Sequence, residues 1–328
     1  FTTDYDLPNA TNYSETCASI GLMMFGQRLS AVTGEAGYYD SVERALYNTV
    51  LAGINIEGDR YFYVNPLEVV PEFCTQHTYM NHVKPIRQKW FSIACCPPNV
   101  ARTLASLGQY VYAQEDDSIL IHQFISSEVQ TETKDGKTAL KMDSTLMQDG
   151  KVSIQAETEK GCSLKIRIPA YAENWKLLSG EKEEKPEIQN GYITVALPAG
   201  THAITLNLDI HPRWVAANDQ VRADAGKAAL VKGPIVYCLE EVENGKLLSQ
   251  VCVKPNEEVK EEASPEGLVG NLPALTYPGT RIKNAGLGDQ LYGALKIEKE
   301  ATQLTAIPYC LWNNRGEGEM LVWHRVLL

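Results

Sequence analysis

Ile-Ala-Cys-Cys-Pro-Pro-Asn-Val, residues 93–100, is where the chain declares both its architecture and its chemistry. Pro97 and Pro98 cannot occupy a helix interior, but they fit its first turn, where a missing N–H costs no hydrogen bond. An apolar stripe at helical spacing follows at Val100, Leu104, Leu107 and Val111. Cys95 and Cys96 therefore stand at a helix N-terminus. Unpaired N–H groups and the positive end of the helix dipole favour a thiolate there, and a bound cation would favour it far more.

Downstream of that helix the period changes from 3.6 to 2. From Ser118 onward, alternation runs through Val152-Ser-Ile154, Leu164-Lys-Ile-Arg-Ile168, Ile193-Thr-Val-Ala-Leu197 and Ile204-Thr-Leu-Asn-Leu208, with turn signals at Asp135-Gly136, Asp149-Gly150, Asn190-Gly191 and Ala199-Gly200. Many short strands of this kind predict β-sandwiches. Pro212 to Asp219 reads as a junction, and a second β region begins at Ala228-Ala-Leu-Val-Lys-Gly-Pro-Ile-Val-Tyr237.

Upstream, residues 1–112 read as helical with one β excursion. A strong stripe at Ala18, Leu22, Phe25, Leu29 and Val32 predicts one helix, and Tyr39, Val42, Leu46 and Val50 predict a second after the Gly34–Gly37 turn. Asp59–Val64 reads as a short strand and Val69–Gln88 as a loop, in which His77 and His82 read as solvated residues, with lining a sugar site or adding a ligand as the alternative.

Glu15 and Cys17, just ahead of the first stripe, join Cys95 and Cys96 as four candidate metal ligands. Three thiolates and a carboxylate suit Zn²⁺, which takes sulfur and oxygen ligands tetrahedrally at roughly 2.0–2.3 Å. Residues two apart on a helix do not face one another, so Glu15 and Cys17 converge only if that stretch is extended or turned. The spacing is not that of a zinc ribbon. A buried pair of small residues and a vicinal disulfide are alternative readings of Cys95-Cys96.

The 328 residues carry 30 Lys+Arg against 41 Asp+Glu, a net charge of −11 that leaves no basic stripe to displace phosphate counterions. Nucleic acid and anionic membrane are excluded as expected partners, whereas a neutral sugar is compatible. No apolar run approaches the ~18 residues that a membrane span requires. Eight cysteines in a chain this long do not form the dense framework of a small secreted domain, and Cys162, Cys238, Cys252 and Cys310 read as buried thiols. A reducing, cytoplasmic compartment is the expected setting.

Longer blocks carry a family resemblance. Phe-Thr-Thr-Asp-Tyr-Asp-Leu-Pro-Asn at 1–9, Tyr-Ser-Glu-Thr-Cys-Ala-Ser-Ile-Gly-Leu at 13–22 and Glu-Arg-Ala-Leu-Tyr-Asn-Thr-Val at 43–50 are followed by Asp-Arg-Tyr-Phe-Tyr-Val-Asn-Pro-Leu-Glu at 59–68 and Ala-Cys-Cys-Pro-Pro-Asn-Val-Ala-Arg at 94–102. These blocks, with Ile-Pro-Tyr-Cys-Leu-Trp-Asn-Asn-Arg-Gly-Glu-Gly-Glu-Met-Leu-Val-Trp at 307–323, resemble glycoside hydrolase family 127 over essentially the whole chain.

The resemblance implies a retaining exo-glycosidase that releases terminal β-L-arabinofuranose with a zinc-bound cysteine as nucleophile. It assigns Glu15, Cys17, Cys95 and Cys96 as zinc ligands, Cys95 as the nucleophile and Tyr63 as a sugar contact. The family's acid/base is a glutamate that would fall two positions ahead of Phe1. An α+β multidomain chain is expected: the C-terminal part of an (α/α)6 barrel at 1–112, then two jelly-roll-like β-sandwiches. The first sandwich is expected at 113–216, completed by about 319–328, with the second inserted at 217–318. A helical part this short is expected to belong to a longer enzyme, leaving its apolar stripes without partners. Expected partners are a small oligosaccharide or arabinofuranosyl glycoconjugate, the N-terminal remainder of the barrel, and a second copy in a homodimer. Two other readings stay open: a non-catalytic carbohydrate-binding fragment and a zinc-tied β-sandwich interaction module.

Overall fold

The computed structural model describes residues 2–75, 82–133, 136–268 and 270–327. The helical elements before the sheets are α1 (Thr16–Thr33), α2 (Tyr38–Ala45, continued by a π turn over Leu46–Val50), α3 (Pro71–Thr75), α4 (Cys96–Ala105) and α5 (Gly108–Val111). One short strand, β1 (Glu68–Val69), interrupts them. There follow β2 (Tyr112–Glu115), β3 (Ser118–Ile121), β4 (Ser127–Thr133), β5 (Gly136–Thr145), β6 (Lys151–Arg167), β7 (Trp175–Ser179), β8 (Lys182–Glu184) and β9 (Tyr192–Leu208). The remainder holds β10 (Pro212–Val215), β11 (Lys227–Lys232), β12 (Ile235–Glu240), β13 (Val251–Val253), β14 (Lys260–Glu262), β15 (Ala274–Asn284), β16 (Ile297–Pro308), β17 (Met320–Leu321) and β18 (Trp323–Val326).

The chain divides into two compact units. The first comprises Phe1–Ala18, Asn48–Pro97 and Pro212–Leu328, and the second comprises Ser19–Tyr47 and Pro98–His211.

In the second unit, β2 through β9 form one sheet in the order β2-β3-β6-β9-β7-β8, with the β4–β5 hairpin attached to β6. Strands β6 and β9, each 17 residues long, pair antiparallel from Lys151↔Asn207 to Arg167↔Tyr192, with a register shift between Thr158 and Gly161. That shift divides β6 between two neighbours, β5 on its N-terminal half and β3 on its C-terminal half. Period-2 alternation puts Val152, Ile154, Ala156, Leu164 and Ile166 on one buried face against Ile193, Val195, Ile204 and Leu206. Arg167, fully buried, ends β6 between the carboxylates of Asp40 and Glu43 on α2, each 2.6 Å away.

In the first unit, the strands run β1-β17-β12-β16-β15-β13-β18-β11-β10, and a further β11–β12 pairing closes β12, β16, β15, β13, β18 and β11 into a ring. The final strands correct an expectation. β18 pairs antiparallel with β11 and parallel with β13, and β17 pairs with β1 and β12, so the strands within the segment expected at about 319–328 belong to this second sheet and not the first. Apolar alternation alone does not name a strand's neighbour, and His324, fully buried between Tyr277 and Trp214, is what fixes β18 here. The expected junction at 212–219 likewise contains β10, which pairs with β11.

The helical expectations hold at the second stripe, where Tyr39, Val42, Leu46 and Val50 are all buried. On α1 the buried face is instead Thr16, Ile20, Met23 and Ser30, while Leu22, Phe25 and Val32 of the expected stripe are 47%, 61% and 85% exposed. Asp59–Val64 forms no continuous strand: Tyr61 bridges Ile54 and Gln88, and Val64 bridges Glu15. The Val69–Gln88 stretch contains α3 and the second half of β1. His77 lies outside the described residues.

Candidate metal centre

The site is assembled by local pairing. The N–H of Thr16 donates to the carbonyl of Tyr63 at 3.0 Å and that of Asn65 to the carbonyl of Ser14 at 2.8 Å, making an antiparallel bridge at Glu15↔Val64. Glu15 is therefore extended, and Cys17 follows in the first turn of α1, which is how two residues so close in sequence face one point. The Thr16 hydroxyl adds a 2.9 Å bond to the carbonyl of Phe62. Gly53 permits the approach: a Cβ there would lie 2.6 Å from Thr16 Cγ2 and 3.0 Å from the carbonyl of Val50.

The other two ligand candidates arrive on the strap leading to α4. The Tyr61 hydroxyl donates to the carbonyl of Ile93 at 2.8 Å and accepts from the N–H of Phe91 at 3.0 Å, anchoring that strap two residues before Cys95. Cys96 then opens α4 with Pro97 and Pro98 in its first turn, as their chemistry requires.

Behind both strands, the C-terminal signature acts as a clamp. Trp312 stacks on Phe62 at 4.7 Å, and the buried Arg87 guanidinium lies over the Phe62 ring at 4.7 Å while donating to the carbonyls of Ala52 and Trp312. Asn313 accepts from the N–H of Arg87 and donates to the carbonyl of Pro85, and Arg315 pairs with Glu240 and Glu243. Sequence reading noticed this signature without its role. Its density in buried aromatic and carboxamide residues was the available signal.

The result is a compact four-donor cluster of Glu15, Cys17, Cys95 and Cys96, all donor atoms within 4.8 Å of one another. Cys17 and Cys96 sulfurs are 3.7 Å apart, Cys95 and Cys96 sulfurs 3.8 Å, and the Cys95 sulfur lies 3.5 Å from Glu15 Oε1. These separations are too long for a disulfide, whose S–S bond is about 2.05 Å, which removes the vicinal alternative. None of the eight cysteines, all among the described residues, is in a disulfide, and Cys162, Cys238, Cys252 and Cys310 are buried as expected. Cys96 is fully buried, whereas Cys17, Cys95 and Glu15 retain partial exposure. Burial, reinforced by the neighbouring Cys17, pushes the Cys96 thiol well above its usual range. A cation in the cluster would favour the Cys96 thiolate.

Tyr63 stands beside this cluster, close enough that Glu15 and Cys95 both act on its hydroxyl. A hydrogen bond with Tyr13, followed by burial, pushes that hydroxyl's pKa up. Tyr13 meets Tyr63 edge-to-face at 6.2 Å and His82 at 6.0 Å, and Phe91 lies 6.0 Å from Tyr63. Sequence reading did not single out Tyr13 or Phe91, and it gave His82 a site role only as the alternative, because none of the three lies in a periodic pattern.

An α+β chain with two sheets and a thiol–carboxylate cluster delivered by helix starts defines a class of multidomain protein with a built metal-type site. Family models place it further. The β-L-arabinofuranosidase GH127 catalytic-domain model matches residues 1–109, the GH127 middle-domain model 118–224, and the GH127 C-terminal-domain model 212–325. The chain belongs to glycoside hydrolase family 127. It is 35% identical over 341 residues to a non-reducing end β-L-arabinofuranosidase from Bifidobacterium longum subsp. longum, covering 99% of this chain and 51% of that protein. A GH127 β-L-arabinofuranosidase crystal structure from Geobacillus stearothermophilus T6 superposes with TM-score 0.93 at 37% identity, covering 100% of this chain and 52% of that one. A GH127 β-arabinofuranosidase structure gives 0.87 at 28% identity, with 100% and 51% coverage. The chain thus spans about half the length of the relatives it matches. Among the described residues, no helix is long and apolar enough to cross a membrane.

Proposed function

We propose that this chain is the zinc-bearing portion of a retaining exo-β-L-arabinofuranosidase. The observation that carries the reading is the shape of the donor set. A tetrahedral zinc with Zn–S of about 2.3 Å and Zn–O of about 2.0 Å requires S···S edges near 3.8 Å and S···O edges near 3.5 Å. Three of the six edges, at 3.7, 3.8 and 3.5 Å, match this frame, and the remaining donor pairs lie within 4.8 Å. Family membership supplies the reaction class.

Zinc in this frame would hold the sulfurs as thiolates at neutral pH. Of the two adjacent thiols, Cys95 is the partly exposed one and Cys96 is sealed in, so Cys95 is the side chain a sugar can reach. Its sulfur would attack the anomeric carbon as the C–O bond to the leaving group breaks and a general acid in the rest of the catalytic domain protonates the departing oxygen, giving a thioglycoside with inverted configuration. Water then attacks the same carbon, giving its proton to the conjugate base of that acid, sulfur leaves, and the second inversion restores the original configuration. Glu15, Cys17 and Cys96 hold the metal. Tyr63, with its hydroxyl oriented by Tyr13, binds the arabinofuranosyl ring beside Cys95.

In the same reading, α1, α2 and α4 belong to an (α/α)6 barrel, supported by the exposed apolar face of α1, and the two sheets are β-sandwich domains. The substrate is an oligosaccharide or glycoconjugate ending in β-L-arabinofuranose. Cysteine ligands of this kind suit a reducing, cytoplasmic setting. A mechanism-based furanoside inhibitor incubated with the full-length protein should add one sugar mass to the peptide containing Cys95. Labelling of Cys96 or of a carboxylate would remove Cys95 from its role.

A further inference from the structure

The second unit contains a cavity of about 610 Å³ that takes no part in the chemistry above, a volume within the range of small-ligand sites. Its floor is aromatic and rigid. Tyr39 stacks on His122 at 4.0 Å and nearly parallel, and the Tyr192 hydroxyl shares a 2.8 Å hydrogen bond with His122 Nδ1. Burial, then the nearby Arg167, lowers the pKa of His122 to about 3, so the floor is uncharged at neutral pH.

Carboxamides dominate the wall. Gln27, Gln109, Gln114, Gln189 and Asn190 all line the cavity, contributed by α1, α5, β2 and the turn before β9. Gln27 donates to the carbonyl of Gln109 at 2.7 Å, and Gln114 is engaged with Glu132 and Thr131. The side chains of Gln109, Gln189 and Asn190 make no hydrogen bond among the described residues. Of the charged side chains lining the cavity, Lys165 and Glu115 pair with each other at 2.6 Å, while Arg28 donates to the carbonyl of Met24 and keeps its charge.

The turn that carries Gln189 and Asn190 is held in place. Asn190 and Gly191 both have positive φ, 53° and 82°, and the carbonyl of Asn190 accepts from the N–H of Ala36 at 2.8 Å. A Cβ at Gly191 would lie 2.7 Å from Ala36 Cβ, so glycine lets the turn close on the start of α2.

Each free carboxamide offers a donor and an acceptor in one plane, a pairing that matches vicinal hydroxyls, and the Arg28 guanidinium adds further donors to the lining. We propose that this cavity is a carbohydrate-binding site for a neutral oligosaccharide, separate from the Cys/Glu cluster. It would hold a product or a polymer segment without cleaving it. The choice of an arabinosyl ligand rests on the function proposed above, whereas the site itself does not.

Calorimetric titration of α-1,5-linked L-arabinotriose into the full-length protein bearing Cys95→Ala tests this. The α linkages make the probe unsuited to a site for terminal β-L-arabinofuranose. Saturable one-to-one binding is expected, weakened roughly tenfold or more by the double variant Gln109→Ala/Gln189→Ala, which deletes two neutral hydrogen-bonding groups. Both side chains are exposed, so folding should be unaffected. Tyr63→Phe should leave this affinity unchanged. Absence of binding, binding indifferent to the double variant, or binding lost through Tyr63→Phe would each overturn the proposal. A protein that binds the trisaccharide here yet hydrolyses no β-L-arabinofuranoside would overturn the proposed function and leave this site standing.

Discussion

Arg167→Met should be among the most damaging single changes to the second unit. The guanidinium is fully buried and donates to Asp40 Oδ1 and Glu43 Oε2 at 2.6 Å and, through Nε, to the carbonyl of His122 at 2.5 Å. Methionine fills much of the volume but leaves the Glu43 carboxylate buried, its only other described partner being the Tyr171 hydroxyl at 3.4 Å. Removing one member of a buried ion pair costs about 3–5 kcal/mol. For a unit of roughly 140 residues, at around 4 °C per kcal/mol, that is a melting temperature about 12–20 °C lower. Differential scanning calorimetry of wild type and variant measures the shift. The triple variant Arg167→Met/Glu43→Leu/Asp40→Asn should recover at least half of it, because uncompensated burial and not lost attraction dominates the penalty. A loss below about 1 kcal/mol, or a triple variant no better than the single one, would refute the reasoning.

Acid should act through buried histidines. Burial lowers the pKa of His324 to about 4, below the ordinary value near 6.5, so the unfolded chain binds a proton that the folded chain refuses. Stability from this group is complete above pH 6.5 and falls as pH drops toward 4. Relative to His324→Gln, wild type should lose about 2 kcal/mol more between pH 7 and pH 5 in urea denaturation, and parallel pH profiles would contradict this. Gly53→Ala should displace Thr16 and the start of α1, costing about 1–3 kcal/mol and weakening metal retention in dialysis; an unchanged metal affinity would show that the close approach does not position Cys17. Tyr63→Phe in the full-length enzyme should lower kcat/KM roughly tenfold on aryl β-L-arabinofuranosides, and unaltered kinetics would remove Tyr63 from the sugar site.

Much of the site was legible because its parts are local. Two prolines after Cys96 fix a helix start, and the incompatibility of Glu15 with Cys17 on one helical face forces an extended residue before α1, which the Glu15↔Val64 bridge supplies. The two-residue-period strands were equally plain, since half-buried sheets repeat on every second residue. What escaped depends on long-range pairing. The pairings of β18 join Arg325 to residues as distant as Lys227, and nothing within residues 319–328 distinguishes β11 and β13 from strands of the other sheet. The helix α1 shows the limit of periodicity: the spacing is right, yet the most apolar stripe is the exposed one and the buried face is built on Thr16, Ile20, Met23 and Ser30. The Trp312–Phe62–Arg87 stack joins three distant segments and has no local pattern.

The central claim is that Glu15, Cys17, Cys95 and Cys96 bind zinc as one tetrahedral set. X-ray absorption at the zinc edge of the full-length protein, purified without chelator, tests it most directly. The account predicts one zinc per chain with three sulfurs at about 2.3 Å and one oxygen at about 2.0 Å, and one sulfur fewer in Cys96→Ala. A shell of nitrogen and oxygen without sulfur, or protein that retains no zinc, would contradict it.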